Sequence, residues 1–184
     1  MADFGESSYR RFLQGDESAL EELIRKYSDP LVRFAYSYIG SVAAAEEIAE
    51  DSIVALLLKL RPIKDEAHLR AYLFKTVRSM AIDRLRYEKW LVSMTDLENV
   101  LSVCDAEADL AVKERNRILY RAMEQLRDDY REVLILTYFD ALTTEQLCQV
   151  LGKKPKQIYN LHARAKIALK ALLEKEGITH EDIC

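Results

Sequence analysis

Residues 142–174 read LTTEQLCQVLGKKPKQIYNLHARAKIALKALLE, two helix-length segments on either side of one glycine. Thr143 and Gln146 stand at the spacing of a capping box, in which each side chain satisfies a backbone donor left open by the first helical turn. Leu147, Val150 and Leu151 follow at helical spacing as a buried stripe, and Gly152 supplies the left-handed residue that ends a helix. Pro155 then opens a second helix, because a first-turn position loses nothing by lacking an N–H. On that helix Ile158, Leu161, Ala165 and Leu169 share one face, which leaves Lys156, Gln157, Tyr159, Asn160, Ala163, Arg164 and Lys166 largely outward. Two helices joined by a tight glycine turn, the second densely basic, are the means by which a helix-turn-helix presents a helix to a DNA major groove. The outward set mixes cations suited to phosphates with Gln and Asn, which can bond base edges.

Charge separates this hairpin from an ordinary solvated one. Gly152 to Lys175 carries seven lysines and arginines against the single acid Glu174, within a chain of net charge -4. A basic island in an acidic protein is a local docking surface. With a pI near 5.5, the free chain gains little from diffuse attraction to DNA, so a partner is expected to deliver it there.

The 184 residues allow one domain or two small ones, and 49% hydrophobic with 32% charged residues is the balance of a soluble globular chain. Five glycines and three prolines favour helices. No apolar run reaches the roughly 18 residues of a membrane span, and the opening MADFGESSYRR lacks the apolar core of a signal peptide. A cytoplasmic protein without membrane insertion is therefore expected. Cys104, Cys148 and Cys184 are odd in number and far apart, which suggests neither a disulfide framework nor a zinc knuckle. Cys148 reads as a small buried side chain. His68, His162 and His180 are equally scattered, and no metal site or cofactor is expected.

Toward the N-terminus, Ser18 and Glu21 have capping-box spacing ahead of a short helix through Tyr27, with Leu20, Leu23 and Ile24 apolar. Asp29 and Pro30 then predict a second helix, whose stripe is Leu31, Phe34, Ala35, Tyr38 and Ile39 and whose stop is Gly40. A third helix is predicted from about Ala43 to Leu60, acidic in front at Glu46, Glu47, Glu50 and Asp51 and apolar on nearly every side from Ile53 to Leu58. After Arg61-Pro62, Asp65 or Glu66 restarts a long helix that ends near Lys89. Leu69, Leu73, Val77, Met80 and Ala81 face inward there, while Arg70, Lys75, Arg78, Arg84 and Arg86 interleave with Tyr72, Tyr87 and Trp90. Cations beside aromatics suit unpaired bases, because every base offers a face to stack on.

Leu91 to Val112 holds five acids and no lysine or arginine, the composition of a linker between helical domains. Helices from about Asp109 to Leu126 and Asp129 to Phe139 lead back to the hairpin. The fold expected is all-α: two small helical domains, residues 1–90 and 113–184, joined by an acidic linker at 91–112, the second domain containing the helix-turn-helix.

Taken in order, FAYSYIG at Phe34–Gly40, AEEIAEDSIVALL, LRAYLFKTVRSMAIDRLR at Leu69–Arg86, LRDDYREVLILTYFDALTTEQLCQVLG and QIYNLHARAK at Gln157–Lys166 resemble the extracytoplasmic-function (ECF) class of the sigma-70 family of bacterial transcription initiation factors. The resemblance spans about residues 10–175. It implies that the first domain binds core RNA polymerase, Glu46, Glu47, Glu50 and Asp51 docking on a basic helical hairpin of the clamp. The family commonly has Gln at the position of Glu50, and a late tryptophan where this chain has Leu57. It further implies that the loop Arg61–Ala67, with Lys64, captures a base flipped from the −10 element, a step that costs a few kcal/mol of unstacking. Arg70, Tyr72, Lys75, Arg78 and Arg86 would then contact the melted strand.

The second domain would read the −35 element as duplex through Lys154, Lys156, Gln157, Tyr159, Asn160, Arg164 and Lys166. Lys154 stands where the family often has a Ser or Thr cap, and His162 where an apolar residue is usual. The resemblance also implies contacts with the polymerase flap, a linker that threads the polymerase, and an anti-sigma factor as a further partner, the free chain being a monomer. Two other classes fit the bare residues: a polymerase-independent helix-turn-helix regulator, and a sigma-like interaction protein. An enzyme is not indicated, since the chain shows no Gly-rich phosphate loop, no metal-ligand spacing and no convergent acid/base set.

Overall fold

The computed structural model describes residues 8–60, 62–95, 118–119 and 121–175, and among them every regular element is helical. The elements are α1 (Ser8–Leu13), α2 (Ser18–Ile39), α3 (Val42–Lys59), α4 (Glu66–Thr95), α5 (Asp128–Leu134) continued by a π-helical turn (Ile135–Phe139), α6 (Thr144–Leu151) and α7 (Pro155–Lys175). Residues 121–125 are also helical. Most of the acidic linker, from residue 96 on, lies outside the described residues, and so do Arg61, Cys104, His180 and Cys184.

The first unit is built on α2, which differs from the expectation. One helix runs from Ser18 to Ile39 with Pro30 inside it. Proline removes one helical hydrogen bond and crowds the carbonyl four residues back, here that of Lys26, whose side chain is exposed. That local cost is overridden because Leu23, Tyr27, Leu31, Phe34 and Ala35 form one buried stripe across the proline. The Ser18–Glu21 box does not form. Asp16 caps instead, its Oδ1 accepting from Ser18 N at 3.1 Å and Ser18 Oγ at 2.6 Å. The short α1 was not anticipated; it packs on α2, and buried Tyr9 donates its hydroxyl to the Leu56 carbonyl at 3.2 Å.

Gly40 ends α2 in the left-handed conformation, φ 69°, and Ser41 caps α3. The acids of α3 begin in its second turn rather than its first. Asp65 caps α4, accepting from His68 N at 2.9 Å, and α4 continues past the expected Lys89 to Thr95. Leu69, Leu73, Val77 and Ala81 are buried as expected, with Met80 half-buried. Phe74 is fully buried and meets Phe34 edge to face at 5.4 Å.

In the second unit the hairpin has the expected form. Gln146 N donates to Thr143 Oγ1 at 3.3 Å, and Thr143 N donates to Gln146 Oε1 at 2.8 Å. Gly152 is left-handed at φ 64°, and α7 starts at Pro155. The two units share one continuous hydrophobic core, with α4 against α6.

Candidate nucleic-acid interface

The start of α7 is an open basic face. Lys154, Lys156, Gln157, Tyr159, Asn160, Arg164 and Lys166 are all exposed, Tyr159 at 76%, while Ile158 and Ala165 on the opposite face are buried. The weak cap read at Lys154 is made good by its neighbour: Gln157 Oε1 accepts from Lys154 N at 2.8 Å. Gln157 therefore uses its carbonyl oxygen on the helix and keeps its amide donors for a partner. His162 is half-buried and stacks on Tyr138, ring centroids 5.5 Å apart. Burial, and then the charge of Lys166, hold its imidazole below the ordinary value.

The acids Glu46, Glu47, Glu50 and Asp51 are exposed on α3, where Glu47 pairs with Arg84 at 3.4 Å. Of the apolar run that follows, Ile53 and Leu56 are buried while Val54 and Leu58 stay exposed, Leu58 at 76%. Spacing along the helix puts Glu47, Glu50, Asp51, Val54 and Leu58 on one face. The face is acidic at one end and apolar at the other, a surface shaped for a partner rather than for water alone.

The predicted strand-contacting residues divide into two groups. Lys64, Lys75 and Arg86 are exposed, Arg86 with Asp83 at 3.3 Å, and Tyr72 is half-buried beneath Lys59, whose Nζ lies 4.2 Å from the ring centroid. Arg70 and Arg78 are engaged by the second unit. Arg70 donates to the Asp140 carbonyl, and Arg78 Nε donates to Glu132 Oε1 at 3.2 Å. Arg33 Nη2 reaches Asp140 Oδ1 at 3.3 Å, and Tyr38 donates its hydroxyl to Glu132 Oε1. Burial pushes the Asp140 carboxyl up, opposed by Arg33 and Arg70. Sequence reasoning missed Arg33, Tyr38, Glu132 and Asp140. No local signal could have found them, since the partners are 94 and 107 residues apart in the Tyr38 and Arg33 contacts.

Cys148 is half-buried rather than buried. Among the described residues no helix is long and apolar enough to cross a membrane.

Comparison with known proteins follows the same two-unit division. Residues 23–91 match the family described as Sigma-70 region 2, and residues 116–169 match Sigma-70, region 4. The RNA polymerase sigma factor SigV of Bacillus subtilis (strain 168) is 23% identical over 166 residues, spanning 90% of this chain and 98% of that protein. The ECF RNA polymerase sigma factor SigM of the same organism is 24% identical over 163 residues, spanning 88% and 99%. Among solved structures, CnrH in complex with the cytosolic domain of CnrY has a TM-score of 0.68 at 21% identity, covering 91% of this chain and 96% of that one. The sigma factor RpoE in complex with the anti-sigma factor NepR from Bartonella quintana also has a TM-score of 0.68, at 22% identity, covering 84% and 96%. These two likenesses are of fold.

Proposed function

The chain belongs to the sigma-70 family as an RNA polymerase sigma factor of the ECF class, and from that premise we propose how its surfaces divide the work of promoter-directed initiation. Residues 1–90 act as the unit that binds core polymerase and opens the −10 element, and residues 113–184 act as the unit that reads the −35 element. Residues 91–112 join them. The observation that carries this reading is the coexistence, on one chain, of the open basic face of α7 and the acidic-to-apolar face of α3. A DNA reader that works alone needs only the first.

On α7, Lys156, Arg164, Lys154 and Lys166 hold phosphates, and Tyr159, Asn160 and the amide of Gln157 face base edges. On α3, Glu46, Glu47, Glu50 and Asp51 meet the polymerase clamp, with Val54 and Leu58 extending that contact as apolar anchors. Arg61, Lys64, Arg70, Tyr72, Lys75, Arg78 and Arg86 serve the melted strand. As an initiation factor the chain supplies surfaces and no catalytic centre of its own. It works in the cytoplasm, free as a monomer, with the polymerase flap as a further contact and an anti-sigma factor as its inhibitor, the pairing in which RpoE of Bartonella quintana was solved with NepR.

Transcription in vitro with purified core polymerase and a library of genomic fragments tests the reading. Discrete start sites that require both core and this protein are expected. Lys156→Glu with Arg164→Glu should abolish them while leaving core binding intact. A folded protein that yields no core-dependent start site overturns the proposal.

A further inference from the structure

Three consecutive residues of α1 tie three different parts of the first unit together. Arg11 pairs with Asp16 and Glu22 at the head of α2, each at 2.7 Å. Tyr9, 1% exposed, donates its hydroxyl to the Leu56 carbonyl near the end of α3 at 3.2 Å. Arg10 Nη2 donates to the Lys64 carbonyl at 3.1 Å, in the connection between α3 and α4. A helix of six residues is too short to stand alone in water, and its consecutive side chains leave the axis about 100° apart. Built this way, α1 is held by its neighbours and reaches three of them at once.

The Leu56 carbonyl is one that α3 leaves open. The helix closes tightly, with the Leu60 N–H bonded to the Leu57 carbonyl at 3.3 Å, which takes from Leu56 the donor that a regular turn would supply. The Tyr9 hydroxyl replaces that donor. Leu60 is left-handed at φ 45° without being glycine, and such a conformation persists where its surroundings over-determine it. On the far side Asp65 caps α4, and Ile63 is half-buried against the core. Residues 62–65 are therefore held by α1 from the side and by α4 at the end, while Pro62 and Lys64 stay exposed.

We propose that α1 braces the base-capturing loop: Tyr9 fixes the direction in which the chain leaves α3, Arg10 fixes the Lys64 carbonyl, and together they set how strictly the captured base is discriminated. This rests on the reading of the loop after α3 as the site of base capture. Flipping a base out of the stack costs energy, and a loop already in place loses little further freedom when the base arrives. A loop free to shift accommodates several bases. A fixed one rejects those whose donors and acceptors do not match its own. Tyr9 and Arg10 act through the loop and are positioning residues.

The test uses the full chain with core polymerase on a promoter taken from the genomic-fragment transcription, each base of its −10 element replaced in turn by the other three. With Arg10→Ala, discrimination at one −10 position should fall by roughly tenfold, the scale of one hydrogen bond from a charged donor. Discrimination at the −35 element, core affinity and the urea midpoint should stay as in the wild type, because Arg10 is exposed and its loss opens no void. Tyr9→Phe, which deletes only the hydroxyl, should relax the same position. Arg10→Lys keeps a donor and the charge, so it should recover part of the discrimination; it also takes over the comparison, as an intermediate loss at that position, should Arg10→Ala fail to fold by circular dichroism. A phosphate contact by Arg10 would behave otherwise, weakening all sequences alike and lowering the salt slope. That uniform loss, or discrimination unchanged at every −10 position, overturns the brace while leaving the sigma-factor reading in place. A wild-type chain without core-dependent start sites overturns both.

Discussion

Gln146→Glu separates two roles that one carboxamide performs. Gln146 is 7% exposed; its Oε1 accepts from Thr143 N at 2.8 Å, completing the α6 cap, and its Nε2 donates to the Ala67 carbonyl at 3.2 Å, tying α6 to the start of α4. Glutamate keeps the acceptor, and is itself a natural capping-box residue, but has no donor. The cap should survive and the bond between units should be lost. A net hydrogen bond is worth about 1 kcal/mol. A nearly buried carboxylate facing a carbonyl oxygen adds to this, partly offset by its place near the positive end of α6, worth about 0.3–1 kcal/mol. Ala67 is exposed, so water can replace the lost donor at its carbonyl, and the sum is a loss of about 1–2 kcal/mol.

Gln146→Ala removes both roles but introduces no carboxylate, so relative to the wild type it should cost about 1.5–2 kcal/mol, the bond plus the lost cap. Urea unfolding followed by far-ultraviolet circular dichroism measures both, and small-angle scattering reports whether the glutamate variant is less compact. A glutamate variant as stable and as compact as the wild type would refute the assignment of the second role. An alanine variant that loses no more than the single bond's about 1 kcal/mol would refute the first.

Phe74→Ala should cost about 3–5 kcal/mol, since it empties a fully buried site and removes the edge-to-face contact with Phe34; urea midpoints check this, and a loss below 1 kcal/mol would show that the core collapses around the gap. His162→Leu should be neutral or stabilising by about 1 kcal/mol, because Nε2 of His162 is buried without a hydrogen-bond partner among the described residues. The same histidine sets a pH dependence. Its folded value lies below the ordinary 6.5, so its contribution to stability is present above 6.5 and is lost as pH falls through the lower folded value. The wild-type urea midpoint should therefore decline with acid more steeply than that of His162→Leu. Lys156→Glu should weaken binding of the polymerase complex to promoter duplex by at least about tenfold, more than one phosphate contact alone removes because it also introduces repulsion. An electrophoretic mobility shift checks it, with core affinity as the unchanged control.

What could be read without coordinates was whatever a few neighbouring residues settle among themselves. The capping box at Thr143 and Gln146, the glycine stop at Gly152, the proline start at Pro155 and the helix restart at Asp65 or Glu66 all have the predicted geometry. The inward face of α4 does too, while on α7 Ile158 and Ala165 are buried and Leu161 and Leu169 half-buried. The same local reasoning erred at Pro30, where a strong local break signal lost to a buried stripe running through it, and at Ser18, where Asp16 took the cap. The short α1 escaped notice because six residues carry too little periodicity to stand out.

The helix-turn-helix, the basic face of α7 and the acids of α3 are thus legible locally, because caps, turns and periodicity act over four residues or fewer. The sequence also placed Arg70 and Arg78 on a helix with other cations. Only the tertiary structure decided that these two arginines, with Arg33, are held by Asp140 and Glu132, while Lys75 and Arg86 are left exposed. The reason is distance along the chain: Arg33 and Asp140 are separated by 107 residues. Contacts of that kind are set by how the two units pack into one core, which no local pattern encodes.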